Sequence, residues 1–275
     1  MIDNNNPTNR ELISVVIPVF NEEDGIDQLR ARLLTLRALW KDTAEVEFVF
    51  VDDGSSDNTP HALQQAFGAD PLSEIVTHEV NRGIGAAFRT GFSRSRGSIV
   101  CTVDADCSYG PENLQRLKAE LDKQGADIAV ASPYHPQGLV EGVPSWRLAL
   151  SKFCSAFYWF IAPVRLYTYT SVFRAYRKEV VETVGFEEDG FVSASEVLIR
   201  AAEQGYRIVE VPMTLHARKI GQTKMKVLRT IRGHLRLIGT TAARRIQSAV
   251  SPGSAGSSRR YRVERPRTSE SPSVK

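Results

Sequence analysis

Val100-Cys101-Thr102-Val103-Asp104-Ala105-Asp106 is the stretch whose reading decides the fold. Four mostly apolar residues read as a buried strand and run directly into two carboxylates spaced i, i+2. Where a strand ends the chain turns away, so Asp104 and Asp106 can converge on one cation. Carboxylate oxygens suit Mg²⁺ or Mn²⁺, and these ions in turn hold phosphate oxygens. An isolated Asp-x-Asp is more often a polar turn leading into the next helix. The elements on either side therefore decide between the two readings.

Upstream, Ile13 to Phe20 is β-branched and nearly continuous, as in a strand buried on both faces. Asn21 offers an N-cap, and Glu22 and Glu23 suit the positive end of a following helix. That helix carries Ile26, Leu29, Leu33 and Leu36 at helical spacing and runs to about Trp40. Val46–Val51 reads as a second strand ending in Asp52-Asp53-Gly54-Ser55-Ser56-Asp57. A helix from Thr59 to Phe67, a strand from Glu74 to Val80, and the segment Asn81-Arg82-Gly83-Ile84-Gly85 opening another helix follow. Downstream of Asp106, Pro111 suits a helix first turn, and Asp127–Ala131 reads as a strand. This alternation predicts an α/β chain with a mostly parallel sheet and flanking helices. Function in such a sheet lies beyond the C-terminal strand ends. Asn21–Glu22, Asp52–Asp53, Asn81–Gly85 and Asp104–Asp106 all fall there, which favours a site over a chance turn.

After Ser132 the alternation stops. Pro133, Pro136, Gly138, Gly142 and Pro144 mark a loop. Trp146 to Phe160 reads as a helix, and its apolar part, Phe153–Val164, is too short to span a bilayer. It reads equally as a core helix or an interfacial one. Tyr167–Tyr176 reads as a strand, Glu179–Val184 and Ser195–Gln204 as helices, and Tyr206–Pro212 as a strand. From Lys226 to Ile238, Val227, Leu228, Ile231, Leu235 and Ile238 predict an apolar helix face opposite Arg229, Arg232 and Arg236. His216 and His234 read as ordinary surface or interface residues.

The chain has 275 residues, 42% of them hydrophobic, and a formal net charge of +3. The charge is uneven: no Asp or Glu occurs from Val211 through Val263. A basic C-terminal stretch suits phosphates or an anionic membrane surface. Aromatic interleaving in the basic tail is limited to Tyr261, so no nucleic acid is expected. Cys101, Cys107 and Cys154 form no CxxC pair and read as reduced thiols. No signal peptide is expected in the Asn-rich Met1–Arg10 segment, and no transmembrane helix elsewhere. The division expected is a disordered 1–10, a catalytic domain over 11–225, a basic amphipathic helix over 226–248, and a disordered Ser/Pro/Arg-rich tail over 249–275.

Gly83-Ile84-Gly85-Ala86-Ala87-Phe88 imitates a dinucleotide-binding fingerprint, but Phe88 obstructs the close helix–strand packing needed at its third small position. A nucleotide-diphosphate ligand held through a metal is the alternative. On these residues the chain resembles the inverting family-2 glycosyltransferases of GT-A fold (Rossmann-like), and among them the dolichyl- and polyprenyl-phosphate mannose synthases. Pro18-Val19-Phe20-Asn21-Glu22 is similar to the family's P-x-Y-N-E, and Asp52 to Thr59 to its D-D-G-S-x-D-x-T. Asn81 to Ala87 is similar to N-x-G-x-G-x-A, Asp104-Ala105-Asp106 to the metal-binding D-A-D, and Arg218 to Lys224 to R-x-x-G-x-S/T-K.

The resemblance implies transfer of a hexose, mannose first, from a nucleotide diphosphate sugar, GDP-mannose first, to a polyprenyl or dolichyl phosphate. It implies inversion and dependence on Mg or Mn held by Asp104 and Asp106. Pro18, Phe20, Glu22, Asp52, Asp53, Asn81, Gly83 and Asp104 would bind the donor. Arg147, Ser151, Arg174 and Lys224 would bind the acceptor, with Asp106, Arg218 and Glu196 in catalytic roles. Arg147 and Ser151 match an R-x-x-x-S element associated with the acceptor phosphate. The implied location is cytoplasmic, peripheral at the cytoplasmic membrane face.

Departures from the family pattern fall near the sugar and acceptor. Thr168 and Val172 replace the acid and glycine of D-x-T-S-G-F-R, Pro133 replaces the arginine of G-S-R-Y, and Ser108 stands where relatives often have Gln. Two alternatives remain: the same fold with another nucleotide sugar and a soluble or glycan acceptor, and a non-catalytic GT-A binding subunit.

Overall fold

A computed structural model describes residues 10–218 and 227–250. The expectations for 1–9, the tail beyond Val250, and Lys224 lie outside the described residues, as does all of the Arg218–Lys224 motif except its arginine. Among the described residues the strands are β1 (Glu11–Val19), β2 (Ala44–Asp52), β3 (Ser73–Thr77), β4 (Ile99–Thr102), β5 (Ile128–Ser132), β6 (Leu139–Glu141), β7 (Arg174–Arg177), β8 (Ile208–Pro212) and β9 (Thr214–His216). The helices are α1 (Ile26–Trp40), α2 (Thr59–Phe67), α3 (Ile84–Arg94), α4 (Leu114–Lys123), α5 (Ser145–Ile161), α6 (Lys178–Thr183), α7 (Ser193–Glu203) and α8 (Val227–Val250).

Seven strands form one sheet in the order β3-β2-β1-β4-β7-β5-β8, and β6 pairs with β9 apart from it. Every pairing in the large sheet is parallel except those of β7, which runs antiparallel between β4 and β5. The continuous apolar runs of β1 and β2 are explained by burial on both faces. Ile13, Val15 and Ile17 pack with Leu29, Leu33 and Leu36 of α1, while Val16 packs with Ala87 of α3 on the other side. Because β1 lies between β2 and β4, the chain leaves these neighbouring strands in opposite directions. A crevice opens between the loops that follow β1 and β4, as at other topological switch points.

Three expectations change. The predicted strand Tyr167–Tyr176 shortens to β7, because the amides before it are taken by side chains. Tyr167 N and Thr168 N donate to the Glu210 carboxylate at 2.8 and 2.9 Å, and Tyr169 N donates to Ser155 Oγ at 3.3 Å. Asn21 does not cap α1. It has φ 52°, and its Oδ1 accepts Ser56 N at 2.8 Å, so it ties the β1 loop to the β2 loop instead.

The third concerns α8, which docks through only part of its predicted apolar face: Ile231 and Ile238 are partly buried, Ile238 against the core, but Leu228 and Leu235 are not. Those side chains are 75% and 60% exposed, while Thr230, His234, Leu237 and Thr241 face the protein. The reason is local: the Tyr158 hydroxyl lies 2.7 Å from His234 Nδ1, and Gly233 approaches Val192 so closely that a Cβ would meet Val192 Cγ2 at 2.8 Å. His234 is accordingly a buried interface residue. His216 is half-exposed on β9, 3.1 Å from Glu141 of β6.

Candidate active site

The turn after β4 builds the paired carboxylates. Val103 N donates to Val16 O at 3.1 Å, extending the pairing with β1 by one bond. Cys107 N then donates to Asp104 O at 3.1 Å, and Cys107 takes φ 53°. A side chain in the left-handed region is uncommon and marks a turn held by its surroundings. Ser108 N donates to Asp106 Oδ1 at 2.9 Å, and Ser108 O accepts His216 N at 3.1 Å, fastening the turn to β9. Asp104 and Asp106 are both partly exposed. Burial first, and then the charge of Asp106, push the Asp104 carboxyl well above the usual carboxylate range, with Arg218 opposing and Glu22 adding to the rise. Two carboxylates forced together in this way form a donor set suited to a hard cation. No group of three potential metal ligands occurs among the described residues.

Arg218 reaches across the crevice and forms an ion pair with Glu22, both largely buried. Four charged groups therefore share the mouth of the switch point. The β1 and β2 loops beside them are laced together: Asn21 N donates to Ser55 Oγ and Glu22 N to Thr59 Oγ1, each at 2.8 Å. Pro18 and Phe20 flank this lacing, each partly exposed.

Asp52 and Asp53 have different surroundings. Asp52 is fully buried, and its Oδ1 accepts Ser55 N at 3.2 Å and Ser55 Oγ at 2.5 Å. Through Oδ1 it shapes the turn from within, while its buried Oδ2 has no hydrogen-bond partner among the described residues. Asp53 accepts His78 Nδ1 at 2.7 Å, Arg82 N at 3.0 Å and Gly83 N at 2.7 Å, so it caps the entry to α3. Asn81 is exposed and donates from Nδ2 to Asp53 O at 3.3 Å. Gly83 has φ 101°, and a Cβ there would meet Asp189 O at 2.4 Å. A Cβ on Gly85 would meet Glu188 O at 2.1 Å. These glycines admit the 188–189 backbone against α3, a packing role that no local pattern announces. His78 was not singled out in the sequence; a buried histidine two residues from a strand end carried no motif.

Two expected site residues lie inside the protein. Arg174 is 1% exposed and donates to Ala194 O at 2.7 Å, Tyr169 O at 3.0 Å and the Tyr176 hydroxyl at 3.2 Å. It sits in the middle of the sheet on antiparallel β7, so its guanidinium joins α7 to the 166–173 segment and does not face an acceptor. Its Nε and Ser193 Oγ have no hydrogen-bond partner among the described residues, and both residues line a cavity sized for a single water. Glu196 is 3% exposed. Its Oε2 accepts the amides of Glu187 and Glu188 at 3.1 and 2.8 Å, and Oε1 lies 2.7 Å from Arg200. With both oxygens engaged, Glu196 holds the loop that packs on Gly83 and Gly85.

Arg147 and Ser151 lie four residues apart on α5, both partly buried. Ser151 Oγ is 2.6 Å from Thr170 Oγ1 and within hydrogen-bonding reach of the Tyr134 phenol. Thr168 Oγ1 is 2.9 Å from Ser132 Oγ. Of the departures at 133 and 168, Thr168 thus touches Ser132, the residue that precedes Pro133 in the chain. A basic and an acidic side chain are absent together, leaving a hydroxyl contact.

A sheet with a switch-point crevice, paired carboxylates at a strand end and acidic loops on neighbouring strands defines a GT-A-like glycosyltransferase fold. Glucosyl-3-phosphoglycerate synthase from Mycobacterium tuberculosis, solved with Mn²⁺, UDP and glucosyl-3-phosphoglycerate, has this fold with a TM-score of 0.62. It is 18% identical over 85% of this chain and 80% of its own.

The chain belongs to glycosyl transferase family 2, whose model matches residues 14–185, and it is an enzyme of glycosyl transfer. It is 35% identical over 226 residues to the polyprenol monophosphomannose synthase of Mycolicibacterium smegmatis, across 80% of this chain and 82% of that protein. It is 34% identical over 217 residues to the dolichol-phosphate mannosyltransferase of Pyrococcus furiosus. That match covers 78% of this chain and 59% of the relative's length.

Proposed function

We propose that this enzyme transfers mannose from GDP-mannose to a polyprenyl phosphate, with inversion at the anomeric carbon. The observation that carries the reading is the grouping of Asp104, Asp106, Glu22 and Arg218 at one crevice, in a chain similar over most of its length to a polyprenol monophosphomannose synthase. In this reading a phosphate oxygen of the acceptor attacks the anomeric carbon from the face opposite the nucleotide. The new C–O bond forms as the bond to the leaving GDP breaks. The acceptor oxygen is already anionic at neutral pH, so the protein needs no strong general base and works by positioning and charge screening.

Asp104 and Asp106 would hold a Mg²⁺ or Mn²⁺ ion, which supplies Lewis-acid neutralisation of the leaving diphosphate when bound. Arg218 would exchange Glu22 for phosphate oxygens, where its planar fork suits bidentate contact. The lacing of the β1 and β2 loops and the Asp53 cap on α3 would hold the nucleotide side of the crevice, with Pro18, Phe20, Glu22 and Asn81 lining it. Arg147 and Ser151 would receive the acceptor phosphate.

Surface features support a setting at an anionic membrane. No helix among the described residues is long and apolar enough to cross a bilayer. On α5, Trp146, Phe153, Phe157 and Phe160 are 51%, 60%, 44% and 68% exposed and fall on one helical stripe. Arg229, Arg232 and Arg236 are exposed on α8, which packs against α5. Aromatic side chains beside arginines suit the headgroup region of an anionic bilayer.

Label transfer from GDP-mannose to an organic-extractable product, with polyprenyl phosphate and Mn²⁺ or Mg²⁺, tests the reading. Lipid-phase label that disappears in Asp106→Ala is the expected result. Absence of label, with UDP-sugars also inactive on the same lipid, would remove the lipid acceptor.

A further inference from the structure

Arg147 and Lys152 of α5 make no ion pair among the described residues, and Ser151 between them meets hydroxyls from two other segments, Thr170 and Tyr134. Helical geometry sets the two cations on opposite flanks of Ser151, since each residue turns the direction by about 100°. Ser151 is the centre of a small polar cluster, 2.6 Å from Thr170 Oγ1 and near the Tyr134 phenol. The Lys152 ammonium lies 5.5 Å from the centroid of the Tyr134 ring. Contact with an aromatic face localises an ammonium without neutralising it. It therefore stays available to an anion in a way that a carboxylate partner would prevent.

Tyr134 directly follows Pro133, where the family pattern places an arginine. Lys152 thus brings a cation from α5 to the neighbourhood that loses one after β5. We propose that Lys152 is an acceptor-specificity residue. Held over Tyr134, it would contact the phosphate monoester together with Arg147 and Ser151, supplying the charge that Pro133 lacks. This inference rests on the function proposed above, because it takes the α5 cluster as the acceptor's phosphate subsite.

The test compares Lys152→Gln and Lys152→Arg in the full-length enzyme. The expected result for Lys152→Gln is an acceptor KM raised about 10-fold and less sensitive to salt, with kcat and the GDP-mannose KM held within about 2-fold. Lys152→Arg is expected to restore most of the loss. A merely solvated lysine would leave the acceptor KM unchanged, and a structural one would move the donor and acceptor constants together. Either result would overturn the proposal.

Titration with phenyl phosphate, followed by NMR, separates this inference from the reading beneath it. If the wild-type enzyme transfers to no prenyl phosphate, the proposed function falls. Weaker phenyl phosphate binding by Lys152→Gln would still support the subsite, and equal binding would overturn it.

Discussion

His78 Nδ1 lies 2.7 Å from Asp53 Oδ1, and its Nε2 lies 2.9 Å from Thr90 Oγ1, so one buried imidazole ties the end of β2 to the middle of α3. The same Asp53 carboxylate receives the amides of Arg82 and Gly83 at the entry to α3. Truncating His78 would remove both hydrogen bonds, one of them to a carboxylate, at about 2–3 kcal/mol. His78→Ala is therefore expected to lower stability by that amount in urea denaturation. It is also expected to weaken nucleotide binding, because the α3 entry is released.

Asp104 and Asp106 crowd each other at the end of β4. If they hold the metal, Asp106→Ala lowers kcat at least ~100-fold. Chelation with EDTA would abolish wild-type turnover, and added Mn²⁺ or Mg²⁺ would restore it. Calorimetric GDP binding is expected to strengthen with Mn²⁺ in the wild type and to be indifferent to it in the variant.

Burial lowers His234 to about 4, below the ~6.5 of a free imidazole. Between these values the unfolded chain binds the additional proton. Stability is therefore fully present above pH ~6.5 and is lost as pH falls toward 4, by on the order of 3 kcal/mol. Tyr158 hydrogen-bonds this imidazole, and Glu188 and Glu196 lie within electrostatic range of the Tyr158 phenol. Denaturation of the wild type from pH 7 to 4.5 is expected to show the decline, with a shallower slope in His234→Gln.

Arg174 gives a contrast to Lys152. Its three acceptors are internal, so Arg174→Met is expected to cost about 2–4 kcal/mol of stability. The acceptor KM of the folded fraction should stay within about 2-fold. Thermal melts alongside steady-state kinetics distinguish this from loss of an acceptor contact, which would raise KM at unchanged melting temperature.

The alternating elements through Ala131 were legible because the β-branched runs of β1, β2, β4 and β5 are buried on both faces and each helix repeats its apolar positions, as Leu29, Leu33 and Leu36 do in α1. Placement of the acidic loops at strand ends followed from that alternation. The later half was harder to read. Tyr167–Phe173 has strand composition, yet its first amides bond to Glu210 and Ser155, which are distant in sequence. The predicted face of α8 holds only in part, at Ile231 and Ile238, because a Tyr158–His234 hydrogen bond and a glycine contact, invisible to hydrophobic periodicity, choose which side docks.

The sequence by itself determined the α/β class, the strand-end positions of Asp53, Asp104 and Asp106, and the membership those motifs signal, since all depend on local pattern and chain order. Tertiary structure alone decided which charged groups face the crevice. Glu22 and Arg218 are paired across 196 residues, whereas Asp52, Arg174 and Glu196 are enclosed. A side chain's type limits the bonds it can make, but only packing sets whether its partners are internal or supplied by a ligand. Arg174, a cation expected at the acceptor site, has its partners inside the protein, at Ala194 O, Tyr169 O and the Tyr176 hydroxyl.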